Sequence, residues 1–262
     1  MSDPIMYLFA DLHVSEEATH RQHNDRLREV LGTIAAMCAP GDAVQFYGDS
    51  VDSPTKGNYA LLTQVISPLI DAKVSLSFIL GNHDNSKTGL FWWSGGDAMF
   101  QAFRKHVNAL PRKFEIGNCQ MLNVDTTLHT WMPTDLAQGR VGSRQLRWLR
   151  SELDIARSRG MFSIVGGHHT PTNIVEPERL LDAAELFNVL RRGHATKYIG
   201  GHAHLFDLVT QRFQNNPGGP VHTQGGETEI ITLENPSTKS LRDGMCFGPA
   251  RINLATGKFE LL

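Results

Sequence analysis

The sequence predicts an α/β fold built on parallel strands, and three observations predict it. Strand-length apolar runs alternate with helix-spaced apolar positions through the first third of the chain. Several of these runs end in a glycine-containing turn that carries aspartate or histidine. The chain has 262 residues, 40% apolar and 20% charged, enough for one large domain over 1–262.

The elements follow in order. Ile5–Ala10 reads as a strand ending in Asp11-Leu12-His13. Leu27, Leu31, Ile34 and Met37 lay one helix face on a core, with Asn24 or Asp25 as its cap and Pro40-Gly41 as its stop. Ala43–Tyr47 is the next strand, ending in Gly48-Asp49. Leu61, Leu62, Val65, Ile66 and Leu69 mark a second helix, and Val74–Leu80 a third strand. The βαβαβ order implies parallel strands joined by right-handed crossovers.

Further on, the pattern is less regular. Gln120–Val124 and Met161–Val165 are strands separated by a helix that Ser143 caps, with Leu146, Trp148, Leu149 and Leu153 on its buried side. Leu180–Leu190 is a helix and Lys197–Ile199 a short strand. Leu205–Val209, Glu229–Leu233, Ala250–Leu254 and Lys258–Leu262 look like antiparallel strands.

Composition narrows the function. A formal charge of −2 offers no cationic footprint for nucleic acid or anionic lipid. No run approaches the roughly 20 apolar residues a membrane helix needs, and the N-terminal residues lack a signal-like pattern. Cys38, Cys119 and Cys246 have no metal-type spacing and read as reduced thiols, so the expectation is a soluble cytoplasmic protein. Twelve histidines stand out, because six of them fall at predicted strand ends.

Five strand ends carry the chemistry: Asp11 and His13; Asp49 and Asp52; Asn82, His83 and Asp84; His168 and His169; His202 and His204. The carboxyl ends of parallel strands open on one crevice, so these side chains can meet although they span most of the chain. Oxygen and imidazole donors without thiolate suit Mn, Fe or Zn. Seven or more donors exceed what one ion takes; two ions about 3.5–4 Å apart that share a carboxylate use them better. Singly, each residue has a blander reading as a turn former or an ordinary strand residue; those readings would have to hold at all five places.

D-x-H, G-D-x-x-D, G-N-H-D, H-x-P and G-H-x-H in this order resemble the calcineurin-like metallophosphoesterase superfamily, from Asp11 to His204. The resemblance implies a four-layer αββα sandwich of two mixed β-sheets flanked by helices. It implies a first ion held by Asp11, His13, Asp49 and His204, and a second held by Asp49, Asn82, His202 and a histidine of GGHHTP. His169 fits H-x-P and is expected as that ligand, with His168 either behind the ligands or on the substrate side beside Asn82 and His83. His83 is expected as the catalytic proton donor, Asp84 as its support, and a metal-bound hydroxide as the nucleophile.

Within the superfamily, Ser53-Pro54 and Asp84 depart from the protein Ser/Thr phosphatase pattern. Gln145-Leu146-Arg147-Trp148-Leu149, after the Asn123–Asp125 strand end, resembles the class III cyclic-nucleotide phosphodiesterases. The expected substrate is therefore a small phosphodiester, 3',5'-cyclic nucleotides first, or a phosphomonoester. A nuclease acting on DNA or RNA ends and a non-catalytic binding scaffold are the alternatives, and a homo-oligomer stays open. Asp52 reads as loop support. The arginines at 140, 144, 147, 150, 157 and 159 read as a solvated helix face, and Trp92-Trp93 as loop packing or a base-stacking platform. His20, His23, His106, His129, His194 and His222 carry no motif.

Overall fold

The computed structural model describes residues 3–85, 111–128, 137–172, 179–203, 207–212, 215–216, 219–220, 227–233 and 250–262. The first sheet contains β1 (Ile5–Phe9), β2 (Ala43–Tyr47), β3 (Ser75–Ile79), β12 (Ala250–Asn253) and β13 (Phe259–Leu261), in the order β13-β12-β1-β2-β3. Strands β1, β2 and β3 are parallel, and β12 and β13 are antiparallel additions. The second sheet contains β4 (Arg112–Ile116), β5 (Cys119–Asn123), β6 (Phe162–Gly166), β7 (Lys197–Gly200), β8 (Asp207–Arg212) and β11 (Glu227–Thr232), in the order β4-β5-β6-β7-β11-β8. Strands β5, β6, β7 and β11 are parallel to one another. A short ribbon pairs β9 (Asn215–Asn216) with β10 (Gly219–Pro220).

Three apolar clusters separate four layers. Helices α1 (Arg21–Met37), α2 (Lys56–Val65) and α3 (Ser67–Asp71) pack Leu27, Leu31, Leu62 and Leu69 on the outer face of the first sheet. Helices α5 (Gly142–Ser158) and α6 (Ala183–Gly193) pack Leu149, Leu153, Leu186 and Leu190 on the outer face of the second. Met6, Leu8, Tyr47, Ile79, Met121, Ile164 and Ile199 fill the space between the sheets. Both faces of the central strands are thus covered, which is why they read as continuous apolar runs rather than as alternation.

The strands under the site are locked laterally. Phe9, Phe46 and Phe78 are register partners on three neighbouring strands. Their rings pack at 5.7 Å (Phe9 on Phe46) and 4.6 Å (Phe46 on Phe78, nearly parallel), worth about 0.5–1.5 kcal/mol per pair beyond burial.

Several boundaries differ from expectation. Helix α1 begins at Arg21 after one 3-10 turn, Ala18–His20, because Asn24 is no cap: it is buried and donates to the Ser15 carbonyl at 2.8 Å. Ser143 caps nothing; the first amides of α5 are taken by the Asp182 carboxylate, Val141 at 2.9 Å and Gly142 at 2.7 Å. The predicted second helix divides into α2, capped by Thr55, and α3, which has Pro68 in its first turn. Strand β4 escaped the sequence reading because its residues alternate between half-buried and exposed. Among the described residues no helix is long and apolar enough to cross a membrane.

Candidate metal centre

The parallel strands of both sheets deliver their carboxyl ends to one place. Beyond β1 come Asp11 and His13, beyond β2 Asp49, and beyond β3 Asn82 and His83, the last two in the short helix α4 (Asn82–Asn85). Beyond β6 come His168 and His169, and beyond β7 His202. His204 lies outside the described residues, as do Trp92, Trp93, His106, His129 and His222.

The backbone here is strained in order to aim side chains inward. Asp11, His13, Asp49 and His202 all sit in the left-handed region, at φ 54°, 45°, 49° and 71°, at a cost of about 1–2 kcal/mol for each non-glycine residue. The loops hold them there. Asp11 N–H donates to the Gly48 carbonyl at 3.0 Å and His13 N–H to that of Asp49 at 2.9 Å. Glycine is required where loops touch: a Cβ on Gly81 would stand 2.1 Å from Asp49 Oδ1, and one on Gly48 2.4 Å from His168 Nδ1.

Asp49 is the hub. Its Oδ1 accepts the His83 N–H at 2.8 Å, and its Oδ2 lies 3.2 Å from His168 Nε2 and 3.8 Å from His13 Nε2. Asp11 accepts the His202 N–H on both oxygens at 3.0 Å. Donor atoms of Asp11, Asp49 and His168 lie within 4.8 Å of one another, and so do those of His13, Asp49 and His83. Asp49 belongs to both of these groups, while a third joins His168, His169 and His202.

The two histidines of the pair are held differently. His168 Nδ1 faces the Tyr47 carbonyl at 2.8 Å, and only an N–H satisfies a carbonyl. Its Nε2 then points into the cluster, 3.1 Å from Asn82 Oδ1 and 3.2 Å from His202 Nδ1. One nitrogen of His169 is also within 4.8 Å of His168 and His202, but both its nitrogens have partners. Nδ1 accepts from Thr126 Oγ1 at 2.9 Å and Nε2 donates to the Ala137 carbonyl at 3.1 Å. Both residues are fully buried.

His83 sits at the mouth and is half-buried. Its Nδ1 donates to the Asp52 carbonyl at 2.7 Å. The expected support from Asp84 is absent, because that carboxylate is turned elsewhere: it accepts the N–H groups of Ser50 at 3.0 Å, Val51 at 3.2 Å and Gly81 at 2.9 Å. The sequence reading also missed Thr126, whose Oγ1 accepts the His168 and His169 amides at 3.2 and 3.0 Å. It missed His23 as well, which donates from Nε2 to the Leu12 carbonyl at 2.6 Å, between Asp11 and His13. The only sequence signal for Thr126 was its place after a strand end.

The electrostatics are those of crowded anions around one cation. Burial, with Asp49 adding to it, pushes the Asp11 and Asp84 carboxyls up to about 7. Burial also pushes Asp49 up, but His168 and His13 outweigh it and hold this carboxyl well below the usual range. Burial alone would lower His168; Asp49 and Asp11 overrule it and raise the imidazole to about 9. His169 is held well below its ordinary value by burial and by its neighbours His202 and His168. The donor set fits cations: Asp49 Oδ2, Asn82 Oδ1 and His202 Nδ1 each lie 3.1–3.2 Å from His168 Nε2, a crowding of polar atoms that positive charge relieves.

Two layers of parallel strands whose ends jointly present imidazoles, carboxylates and one amide define a metallophosphoesterase fold. A profile of the family described as Calcineurin-like phosphoesterase matches residues 6–206. A protein of Rhodococcus erythropolis named "Probable cyclic nucleotide phosphodiesterase" is 30% identical over 194 residues, 71% of this chain and 58% of that protein. The chain belongs to the calcineurin-like phosphoesterase family. It spans little more than half the length of that Rhodococcus relative. Among solved structures, a dimetal phosphatase from Danio rerio is similar with a TM-score of 0.68 at 15% identity, over 95% of this chain and 92% of that one. Purple acid phosphatase from yellow lupin (Lupinus luteus) seeds is similar with a TM-score of 0.65 at 14% identity, over 99% of this chain and 53% of that one. The last two are likenesses of fold.

Proposed function

We propose that this chain is a cytoplasmic, single-domain metal-dependent phosphoesterase that hydrolyses small phosphodiesters, 3',5'-cyclic nucleotides first among them. One observation carries the reading: Asp49 is shared by two groups of ligand atoms at the mouth of five strand ends. The Rhodococcus relative's name supports the substrate class. In this reading Asp11, His13 and Asp49, with His204, hold one ion. Asp49, Asn82, His168 and His202 hold the other. His168 replaces His169 as the ligand because its Nδ1–H is spent on the Tyr47 carbonyl and its Nε2, once a cation displaces the proton there, points into the cluster beside Asn82 and Asp49. Mn, Fe and Zn all accept this donor chemistry.

When bound, two such cations supply Lewis acidity toward a phosphoryl oxygen and lower the pKa of water toward neutrality. The chain's own residues do the rest. Asn82 contributes an oxygen without adding negative charge beside a phosphate. His83 gives its Nδ1–H to the Asp52 carbonyl, which leaves Nε2 as the atom from which a proton can pass to the leaving oxygen. The nearly complete burial of Asp11, Asp49 and His168 keeps bulk water away from the floor.

The test is metal-reconstituted protein assayed with bis-p-nitrophenyl phosphate and 3',5'-cyclic AMP in the presence of Mn²⁺. Metal-dependent turnover is expected. His83→Ala should lower kcat by about 10²–10⁴-fold at unchanged metal content. Absence of bound metal, or turnover indifferent to it, would defeat the proposal.

A further inference from the structure

The arginines along α5 divide into two kinds. Arg157 pairs with Asp154, and Arg159 with Glu115. Arg140, on the loop before the helix, and Arg144, in its first turn, are exposed and have no carboxylate within ion-pair reach among the described residues. Both line a cavity of about 360 Å³, with Pro111, Asp125, Thr127 and Gln145 among its other walls. None of the described candidate metal ligands lines it. The walls are held in place. Gln145 clamps the Asp125 main chain, accepting its N–H on Oε1 at 2.9 Å and donating from Nε2 to its carbonyl at 2.7 Å. Arg140 N–H donates to the Thr126 carbonyl at 2.9 Å, which fixes the loop that carries its side chain. The acids nearby are engaged. Asp125 Oδ1 accepts the Thr127 N–H at 2.8 Å and its hydroxyl at 2.6 Å, and Asp182, outside the lining, is spent on the Val141 and Gly142 amides.

Two guanidinium groups against the one Asp125 carboxylate leave the lining with an excess of positive charge. The start of the 17-residue helix α5 adds to it. A bound carboxylate has two oxygens and one charge, which a single planar fork serves. A phosphate group has three free oxygens and a charge of about −1.5 to −2, which takes two forks. The volume falls within the range of about 300–1,000 Å³ usual for small-molecule sites. We propose that this cavity is a second binding site, separate from the metal centre, for a small molecule carrying a phosphate or diphosphate group, and that Arg140 and Arg144 read that group. The site goes beyond the phosphoesterase reading and does not depend on it: occupancy needs neither metal nor turnover.

The experiment uses the full, metal-free chain and inorganic pyrophosphate at constant ionic strength, so that salt screening does not imitate a site. Isothermal titration calorimetry should show one saturable site with a Kd on the order of 0.1–1 mM. Arg140→Gln and Arg144→Gln should each weaken binding about 10-fold or more, and the double variant should show no saturation. Arg147→Gln, at an exposed arginine of the same helix outside the cavity, should leave the affinity unchanged. The unaltered chain supplies a reading free of any folding defect. Pyrophosphate should protect Arg140 and Arg144 from phenylglyoxal, as read by peptide mass spectrometry, while Arg147 and Arg150 go on reacting. Binding that survives in the double variant would overturn the proposal by placing the anion elsewhere. Protection spread alike over all four arginines would overturn it by reducing the effect to general charge. A titration without saturable binding would overturn it as well.

Discussion

Asp84 supplies the sharpest test of how the site is assembled. Its carboxylate is fully buried and accepts three main-chain N–H groups: Ser50 and Val51 from the loop after β2, Gly81 from the loop after β3. Asp84→Ala removes all three acceptors and leaves those amides beneath the metal-ligand loops. An unsatisfied buried donor costs about 1–2 kcal/mol in such a place, so three give about 3–6 kcal/mol. At an unfolding entropy of about 2.1 cal/mol/K per residue, a chain of this length loses roughly 2 °C of melting temperature per kcal/mol. The expected drop is therefore about 6–12 °C by differential scanning calorimetry of metal-free protein. Asp84→Asn keeps one oxygen for Ser50 and Val51, turns an NH₂ toward the Gly81 N–H, and relieves the repulsion from Asp49. Its loss should be at most about half as large. If Asp84 served His83 directly, the asparagine variant would lose kcat with little change in melting. That outcome, or an alanine variant melting within about 2 °C of the parent, refutes the reasoning.

Two further expectations follow from the same geometry. His168→Ala should bind about one metal ion fewer by elemental analysis, whereas His169→Ala should keep both ions and lose stability instead; the opposite pattern would restore His169 as the ligand. Metal-free protein should become less stable from pH 6 to 9.5, because Asp11 and Asp84 (about 7) and His168 (about 9) all have folded values above their unfolded ones. Stability from such groups is complete below the unfolded value and disappears as pH passes the folded one. Asp49 is ionised throughout that window and contributes no slope. A melting temperature that rises across it would contradict the charge assignments.

The sequence revealed the frame and the inventory of the site, but not who serves whom. The five strand ends were legible because an apolar run buried on both faces is easy to see, and because Asp, His and Asn just beyond it are out of character for a core strand. The partners were not. His168 finds its acceptor 121 residues away on Tyr47, and His83 finds its own 31 residues away on a main-chain carbonyl that any residue type would supply. In the proposed reading the choice between two adjacent histidines turns on which carbonyl lies beside which nitrogen, and no spacing rule encodes that. The same reason hid His23 and Asn24: polar residues early in α1 look solvent-facing by type, yet both are buried against the loop that carries Asp11 and His13. Asp182 likewise took Ser143's role at the start of α5 from about 40 residues away.

The distribution of strain and charge bears on what metal binding does to the fold. Four candidate ligands hold left-handed backbone, and three carboxylates are buried together with one raised imidazole. Such a cluster opposes folding, so something else must hold it. The three apolar clusters, the Phe9–Phe46–Phe78 ladder and the Asp84 clasp do so without drawing on any ligand atom of the proposed first or second ion. This is unlike a small zinc domain, whose folding energy is its metal affinity. Here the frame imposes the ligand positions in advance. Cations then replace the protons that the crowded acceptors otherwise retain, so their binding adds stability by linkage to a chain already folded, and more of it as pH rises.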